Sequence, residues 1–270
     1  MPENTKSPLI IAHRGSSVFA PENTLAAFHQ AIEDKADGIE FDVRMTKDEV
    51  PVVFHDAGLQ RMARKKERVS TLTLSELQTI DLGEWFNHRY PRQANDKFSG
   101  ETVPTLAQTF DFLRGFQGRV YIEVKGLTPE ASATVEAIIK EIQHTALLSN
   151  IILKSFNLKA IARAKEIFPE IRTAALFAPK IVPFLNRKNR LIEQAKHYRA
   201  NEFSLHYSLA TKKLVENATK ENMPVTIWTA DRPAWVRRAQ EIGILAVITN
   251  NPERLVAERD KILQDKSISN

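Results

Sequence analysis

Cysteine is absent from the 270-residue chain. This excludes a disulfide scaffold, a thiol nucleophile and any cysteine-ligated zinc or iron–sulfur centre. Glycine is scarce, with nine residues beside thirteen prolines, so a collagen-like or linker-dominated chain does not fit. No apolar run approaches the ~20 residues needed to span a bilayer. The opening MPENTKSPLIIAHRG lacks the basic start and long apolar stretch of a secretion signal, so the expected compartment is the cytoplasm. Internal repeats, low-complexity tracts and an evident linker are also lacking, which points to a single domain over residues 1–270. What is present is ordinary for a globular protein: 43% hydrophobic and 26% charged residues. At this length, folding buries roughly three quarters of the unfolded chain's surface. The formal net charge of +5 suits an anionic substrate, a membrane surface or a nucleic acid without choosing among them.

Short apolar runs with polar ends recur and read as buried parallel strands at Leu9–Ala12, Gly38–Val43, Pro51–Phe54, Arg119–Val124, Ile151–Ser155, Thr173–Phe177, Glu202–Leu205, Val225–Trp228 and Ala246–Ile248. Helical spacing lies between them, at Thr24–Ala36 with Asn23 as expected N-cap, then at Pro129–Leu147, Leu158–Phe168, Lys212–Glu221, Pro233–Ile242 and Pro252–Leu263. About eight such alternations predict an α/β fold, a (β/α)₈ TIM barrel, with an open doubly wound sheet as the alternative. Two stretches break the rhythm. Residues 57–103 carry a basic run, a short helix signal at Thr73–Ile80 and the aromatics Trp85, Phe86 and Tyr90; they read as an insertion after a strand end, with Trp85 and Phe86 anchoring it to the barrel. Residues 180–199 hold six cationic side chains against Glu193 alone.

Polar residues collect where strands end: His13 and Arg14, Glu40 and Asp42, His55 and Asp56, Glu123 and Lys125. Barrel active sites lie at the carboxyl ends of the strands. Residues two apart on a strand share a face, so Glu40 and Asp42 should point together, as should Glu123 and Lys125. The alternate positions Ile39, Phe41, Val43, Val120, Ile122 and Val124 should pack against helices. Three converging carboxylates repel unless protons are shared or a cation sits among them. Oxygen ligands alone suit one divalent cation, Mg²⁺ or Ca²⁺, with Mn²⁺ also possible. The bland alternative is three separately hydrogen-bonded carboxylates. His13 and His55 are the natural proton carriers. Arg14 and Lys125 add fixed positive charge suited to a phosphate, or else salt-bridge to Glu22 and Glu123.

The motifs IAHRGSS, APENT, DGIEFDVRMTKDEVPVVFHD, LTLSELQTIDLGEWF, TVPTL, YIEVK, VTIWTAD and AVITNNP, in this order, resemble the glycerophosphodiester phosphodiesterases nearly end to end. The resemblance implies a TIM barrel with a small insertion near 57–103, and hydrolysis of a glycerophosphodiester to glycerol 3-phosphate and an alcohol. It implies His13 and His55 as the acid–base pair, Glu40, Asp42 and Glu123 as metal ligands, and Arg14 and Lys125 as phosphate contacts. It further implies attack by the neighbouring glycerol hydroxyl, through a cyclic phosphate that water then opens. The chain departs from the family pattern at Met62 and Ala63, where threonines are usual. Asn250 and Leu245 stand at acidic positions, and Asp231 stands where asparagine is usual. Trp228 and His206 at late strand ends are candidate pocket walls, and Glu22 is expected to orient Arg14 or the first helix.

Other readings are a lysophospholipase D or related phospholipase on the same barrel, and a silent barrel that binds phosphodiesters. The expected partner is a small-molecule glycerophosphodiester. Nucleic acid is not expected, because the basic residues lack an interleaved aromatic platform. Contact of the Ile181–Leu185 stretch and its basic neighbours with an anionic lipid surface is a secondary reading beside a solvated helix face. The sequence does not set the oligomeric state.

Overall fold

A computed structural model describes residues 7–179 and 188–268. Among the described residues nine strands form: β1 (Leu9–His13), β2 (Gly38–Met45), β3 (Pro51–Val53), β4 (Arg119–Val124), β5 (Ile151–Ser155), β6 (Arg172–Phe177), β7 (Glu202–His206), β8 (Val225–Trp228) and β9 (Ala246–Thr249). Eight of them run parallel in the order β1-β9-β8-β7-β6-β5-β4-β2, and pairing of β1 with β2 closes the cylinder. This is the expected TIM barrel.

The strand at Pro51–Val53 corrects the expectation that every run is parallel. β3 is antiparallel to β2, with Val43 opposite Val53 and Met45 opposite Pro51. β2 overshoots the barrel rim, turns at Lys47–Glu49 and returns outside the cylinder. The turn needs Glu49 at φ 61°, and Thr46 braces it, its Oγ1 accepting from the Val50 amide. An apolar tripeptide buried on both faces reads the same whether its neighbour runs up or down.

Side-chain alternation divides the core as the spacing demands. Ile39, Phe41, Val43, Val120, Ile122 and Val124 face outward and pack with Phe28, Val135 and Ile138 of the surrounding helices. Ile11, Tyr121, Ile152, Ala174, Ala246 and Ile248 fill the barrel interior. At the floor, the buried Glu202 carboxylate accepts from Tyr121 Oη at 2.8 Å, Arg119 at 2.7 Å and Arg172 at 2.8 Å. Burial pushes the Tyr121 hydroxyl above its ordinary range.

The helix at Leu25–Glu33 is capped by Thr24, whose hydroxyl accepts from the Ala27 amide, and not by the expected Asn23. Asn23 instead adopts φ 61°, a conformation asparagine tolerates. Its side chain is committed to the site described below.

Residues 57–103 fold as short helical turns, Gln60–Ala63, Leu74–Leu77 and Leu82–Arg89. Leu59, Met62, Val69, Leu77, Ile80 and Leu82 form a core of their own over Val52 and Phe54. Phe86 and Phe98 pack on Ala20 and Ala27, tying the segment to the first helix. Trp85 donates from Nε1 to the Arg61 carbonyl at 3.0 Å. Of the basic stretch at 180–199, residues 188–197 are helical, and the Ile181–Leu185 stretch lies outside the described residues. Among the described residues no helix is long and apolar enough to cross a membrane.

Candidate active site

Strand register assembles the site. His13 lies opposite Glu40 across β1 and β2. Asp42 lies opposite Glu123, and Glu123 opposite Lys154, across β2, β4 and β5. Paired residues on parallel strands present side chains to the same face, so these groups converge at the carboxyl end of the barrel. Glu40, Asp42 and Glu123 each present a carboxylate oxygen, and these oxygens lie within 4.8 Å of one another. All three residues are buried.

Cations surround them. Lys125 Nζ hydrogen-bonds Glu123 and stands 2.9 Å from Asp42 Oδ1. Lys154 Nζ stands 2.7 Å from Glu40 Oε1. Arg14 reaches Glu22 at 2.7 Å and Asp42 Oδ2 at 3.1 Å. Burial alone would raise the Asp42 carboxyl, but Lys125, Arg14 and His55 outweigh it and hold the group well below its ordinary range. Glu40 is lowered too, Lys154 and His13 prevailing over burial. Glu123 moves the other way, because burial dominates and pushes it up. The Arg14 guanidinium is raised despite burial by Asp42, Glu22 and Glu40.

The donor set fits a hard divalent cation. It offers oxygen only, from three strand positions. Glu40 Oε1 and Asp42 Oδ1 are buried, each facing one ammonium group, Lys154 at 2.7 Å and Lys125 at 2.9 Å. Such oxygens retain lone pairs for a metal.

The two histidines flank this cluster with different partners. His13 Nδ1 is 2.7 Å from Asn250 Oδ1, while Nε2 faces Glu40 Oε2 at 3.9 Å. Burial lowers the pKa of His13. His55 follows β3, where the hairpin return brings it back to the level of Asp42, with Phe54 N donating to the Asp42 carbonyl at 2.9 Å. Its Nδ1 is 2.6 Å from Asp56 Oδ1. The hydrogen bond from His55 holds the Asp56 carboxyl well below its usual range.

Glu22 receives Arg14 and also Arg61, at 2.8 and 2.7 Å, and Arg61 continues to Asp56 at 2.6 Å. A chain of charges therefore links the Arg14 side of the mouth to the His55 side. Trp228 and His206 stand together across the mouth, ring centroids 5.4 Å apart. Trp228 also stacks edge-on with Phe156, and its indole N–H is buried without a hydrogen-bond partner among the described residues. His206 is engaged by Ser208, accepting at 2.7 Å from the hydroxyl, and contacts neither carboxylates nor His13 among the described residues. A cleft of about 860 Å³ opens beside Glu123 and Lys125, walled by Phe156, Tyr198, Arg44 and Arg68.

Sequence reasoning gave no role to four participants, Lys154, Asn23, Asp56 and Arg61, although it placed Asp56 at a strand end. Lys154 looks like any strand-end lysine until register places it on Glu40. Asn23 donates from Nδ2 to Asp42 Oδ2 at 2.9 Å, visible only once it is relieved of helix capping. Asp56 and Arg61 are evident in sequence as neighbours of His55, but nothing local shows the geometry that joins them to it and to Glu22.

The description "Glycerophosphoryl diester phosphodiesterase family" belongs to a family model that matches residues 13–254. The chain is 33% identical over 250 residues to a glycerophosphodiester phosphodiesterase of Caldanaerobacter subterraneus, covering 92% of this chain and 96% of that one. It is 29% identical to a Bacillus subtilis glycerophosphodiester phosphodiesterase over 91% of this chain and 84% of that one. Among solved structures it is similar to an Oleispira antarctica phosphodiesterase in complex with the product sn-glycerol-3-phosphate. That match has a TM-score of 0.83 and 25% identity, over 94% of this chain and 97% of that one. A glycerophosphodiester phosphodiesterase from Agrobacterium tumefaciens aligns with a TM-score of 0.75 and 26% identity, over 93% of this chain and 99% of that one.

Proposed function

The chain belongs to the glycerophosphoryl diester phosphodiesterase family, and we propose that it hydrolyses glycerophosphodiesters to glycerol 3-phosphate and an alcohol in the cytoplasm, with one divalent cation, Mg²⁺ or Ca²⁺ before Mn²⁺. The observation that carries this reading is the three-carboxylate oxygen cluster beside the inward nitrogen of His13.

Glu40, Asp42 and Glu123 hold the cation in this reading. When bound, it neutralises phosphate oxygens and eases deprotonation of a hydroxyl. Arg14 and Lys125, already gathered at the carboxylates, supply fixed positive charge for the same phosphate. Their hold on Asp42 keeps both side chains extended into the mouth.

In this reading the two imidazoles take different duties, and their different partners support the division. His13 is buried and leans on a neutral amide, which favours the uncharged ring, so it serves as the base. His55 leans on the Asp56 carboxylate, a ready counter-charge for a protonated ring, and its side chain is more open to solvent, 32% exposed against 16% for His13. It serves as the acid. The glycerol hydroxyl beside the phosphoester gives its proton to His13 and attacks phosphorus. The bond from phosphorus to the alcohol oxygen breaks, and that oxygen takes the proton of His55. Water then opens the cyclic phosphate with the roles exchanged: His55 receives the water proton and His13 returns its proton to the glycerol oxygen. An internal nucleophile gains from proximity and requires no serine or cysteine from the protein.

The test is release of glycerol 3-phosphate from a panel of glycerophosphodiesters, with a lysophospholipid as a further member. His13→Ala and His55→Ala are expected to lose roughly two to four orders of magnitude in turnover with circular dichroism unchanged. Full activity in either variant would overturn the assignment. A wild-type protein that acts only on the lysophospholipid would replace the proposed substrate with that one.

A further inference from the structure

Closure of the barrel pairs β1 with β9, placing Ala12 opposite Thr249. His13 is the next residue of β1 and Asn250 the first residue after β9, so the loop after β9 starts beside the His13 ring. Asp231, after β8, reaches the same point. Its Oδ1 accepts from the Asn250 backbone amide at 2.8 Å and from the Thr249 hydroxyl at 2.9 Å. Its Oδ2 accepts from Asn250 Nδ2 at 2.9 Å.

Three donors therefore fix Asp231, and Asp231 fixes the asparagine. A carboxylate only accepts, so the amide nitrogen of Asn250 must point at it. The amide oxygen is then forced to the opposite side, where it meets His13 Nδ1 at 2.7 Å and the Ser17 hydroxyl at 3.1 Å. An amide oxygen only accepts, so His13 Nδ1 must carry a hydrogen, and in the neutral ring the lone pair falls on Nε2, the nitrogen that faces Glu40.

We infer that Asp231 and Asn250 are positioning residues that lock His13 in the tautomer with hydrogen on Nδ1 and a free lone pair on Nε2. Neither touches the carboxylate cluster among the described residues; they act through His13. The two are also departures from the family pattern noted in the sequence, and in the structure they are bonded to each other. The inference deepens the phosphodiesterase reading and rests on it for its kinetic consequence, while the tautomer itself does not.

The deciding variant is Asp231→Asn. An amide there accepts or donates, so the Asn250 side chain is no longer compelled to one orientation. Flipped, it would offer N–H to Nδ1 and drive the hydrogen to Nε2. The exchanged double variant, Asp231→Asn with Asn250→Asp, restores compulsion: the carboxylate now at position 250 only accepts, and the amide now at position 231 donates to it. Nitrogen-15 spectra of the histidine-labelled full-length protein read the tautomer directly, with His13→Gln identifying the signal.

The wild type is expected to show protonated Nδ1 and unprotonated Nε2 at His13. Asp231→Asn is expected to mix the tautomers and lower kcat at least about tenfold with KM little changed. The exchanged pair is expected to return both readouts toward wild type. A single variant with unaltered tautomer overturns the inference whatever its kcat, as does an exchanged pair that leaves the tautomers mixed. A wild-type protein that releases no glycerol 3-phosphate defeats the proposed function, and the spectra still decide the tautomer.

Discussion

Lys154 is almost fully buried, with its ammonium 2.7 Å from Glu40 Oε1. With Arg14 and Lys125 it is one of three cationic side chains set directly against the carboxylate cluster. Removing one partner of a buried pair leaves the other uncompensated, which costs about 3–5 kcal/mol. Lys154→Met keeps the length and removes the charge. The chelator-treated variant is expected to melt well below wild type, and added divalent cation is expected to recover most of the difference by taking over the role of counter-ion to Glu40. Calorimetric melting of both proteins, with and without cation, checks this; equal melting temperatures would show that the pair contributes nothing. The contrast between Lys154 and Glu123 explains what was legible at this scale. Glu123 announces itself through parity with Lys125 on one strand. Lys154 has no such local signature, because its meaning comes from the strand beside it. Asn23 misled for a related reason: its local signal as a helix cap is real, but Thr24 satisfies the cap and Asp42 claims the asparagine.

The elements that aim the site are turns as much as strands. After β1 the chain must reverse within the HRG motif. Arg14 takes φ 56° and Gly15 φ 79°. A Cβ on Gly15 would lie 2.6 Å from the Ala27 carbonyl carbon, so the turn rests directly on the first helix. Strain of this kind costs of order 1–3 kcal/mol. Gly15→Ala is therefore expected to lower the unfolding free energy by that amount, read as a lower denaturant midpoint, and to depress turnover, since Arg14 and His13 move with the turn. An unchanged midpoint would show that the helix yields. The strand positions and most of the helices between them were readable from alternation and spacing. The direction of β3 was not, because Pro51–Val53 is too short to record its partner's polarity. Even so, His55 was found at the mouth, since the hairpin brings it back to the rim from above instead of carrying it there from below.

Across the whole molecule, closure is what turns scattered sequence signals into one centre. His13 and Asn250 are 237 residues apart and hydrogen-bonded only because β1 and β9 meet. The three carboxylates come from two neighbouring strands and converge because β2 and β4 pair in register. The segment 57–103 leans on the first helix through Phe86 and Phe98 and carries Arg61 to Glu22 and Asp56. The central claim is that this convergence grips one hard cation. The most direct test is a calorimetric titration of the chelator-stripped protein with Mg²⁺, Ca²⁺ and Mn²⁺ in turn, repeated on Glu123→Gln. The account predicts one ion per chain in the wild type and affinity reduced at least about tenfold in the variant. Wild-type protein that takes up none of the three ions, or a variant that binds them as tightly, would contradict it.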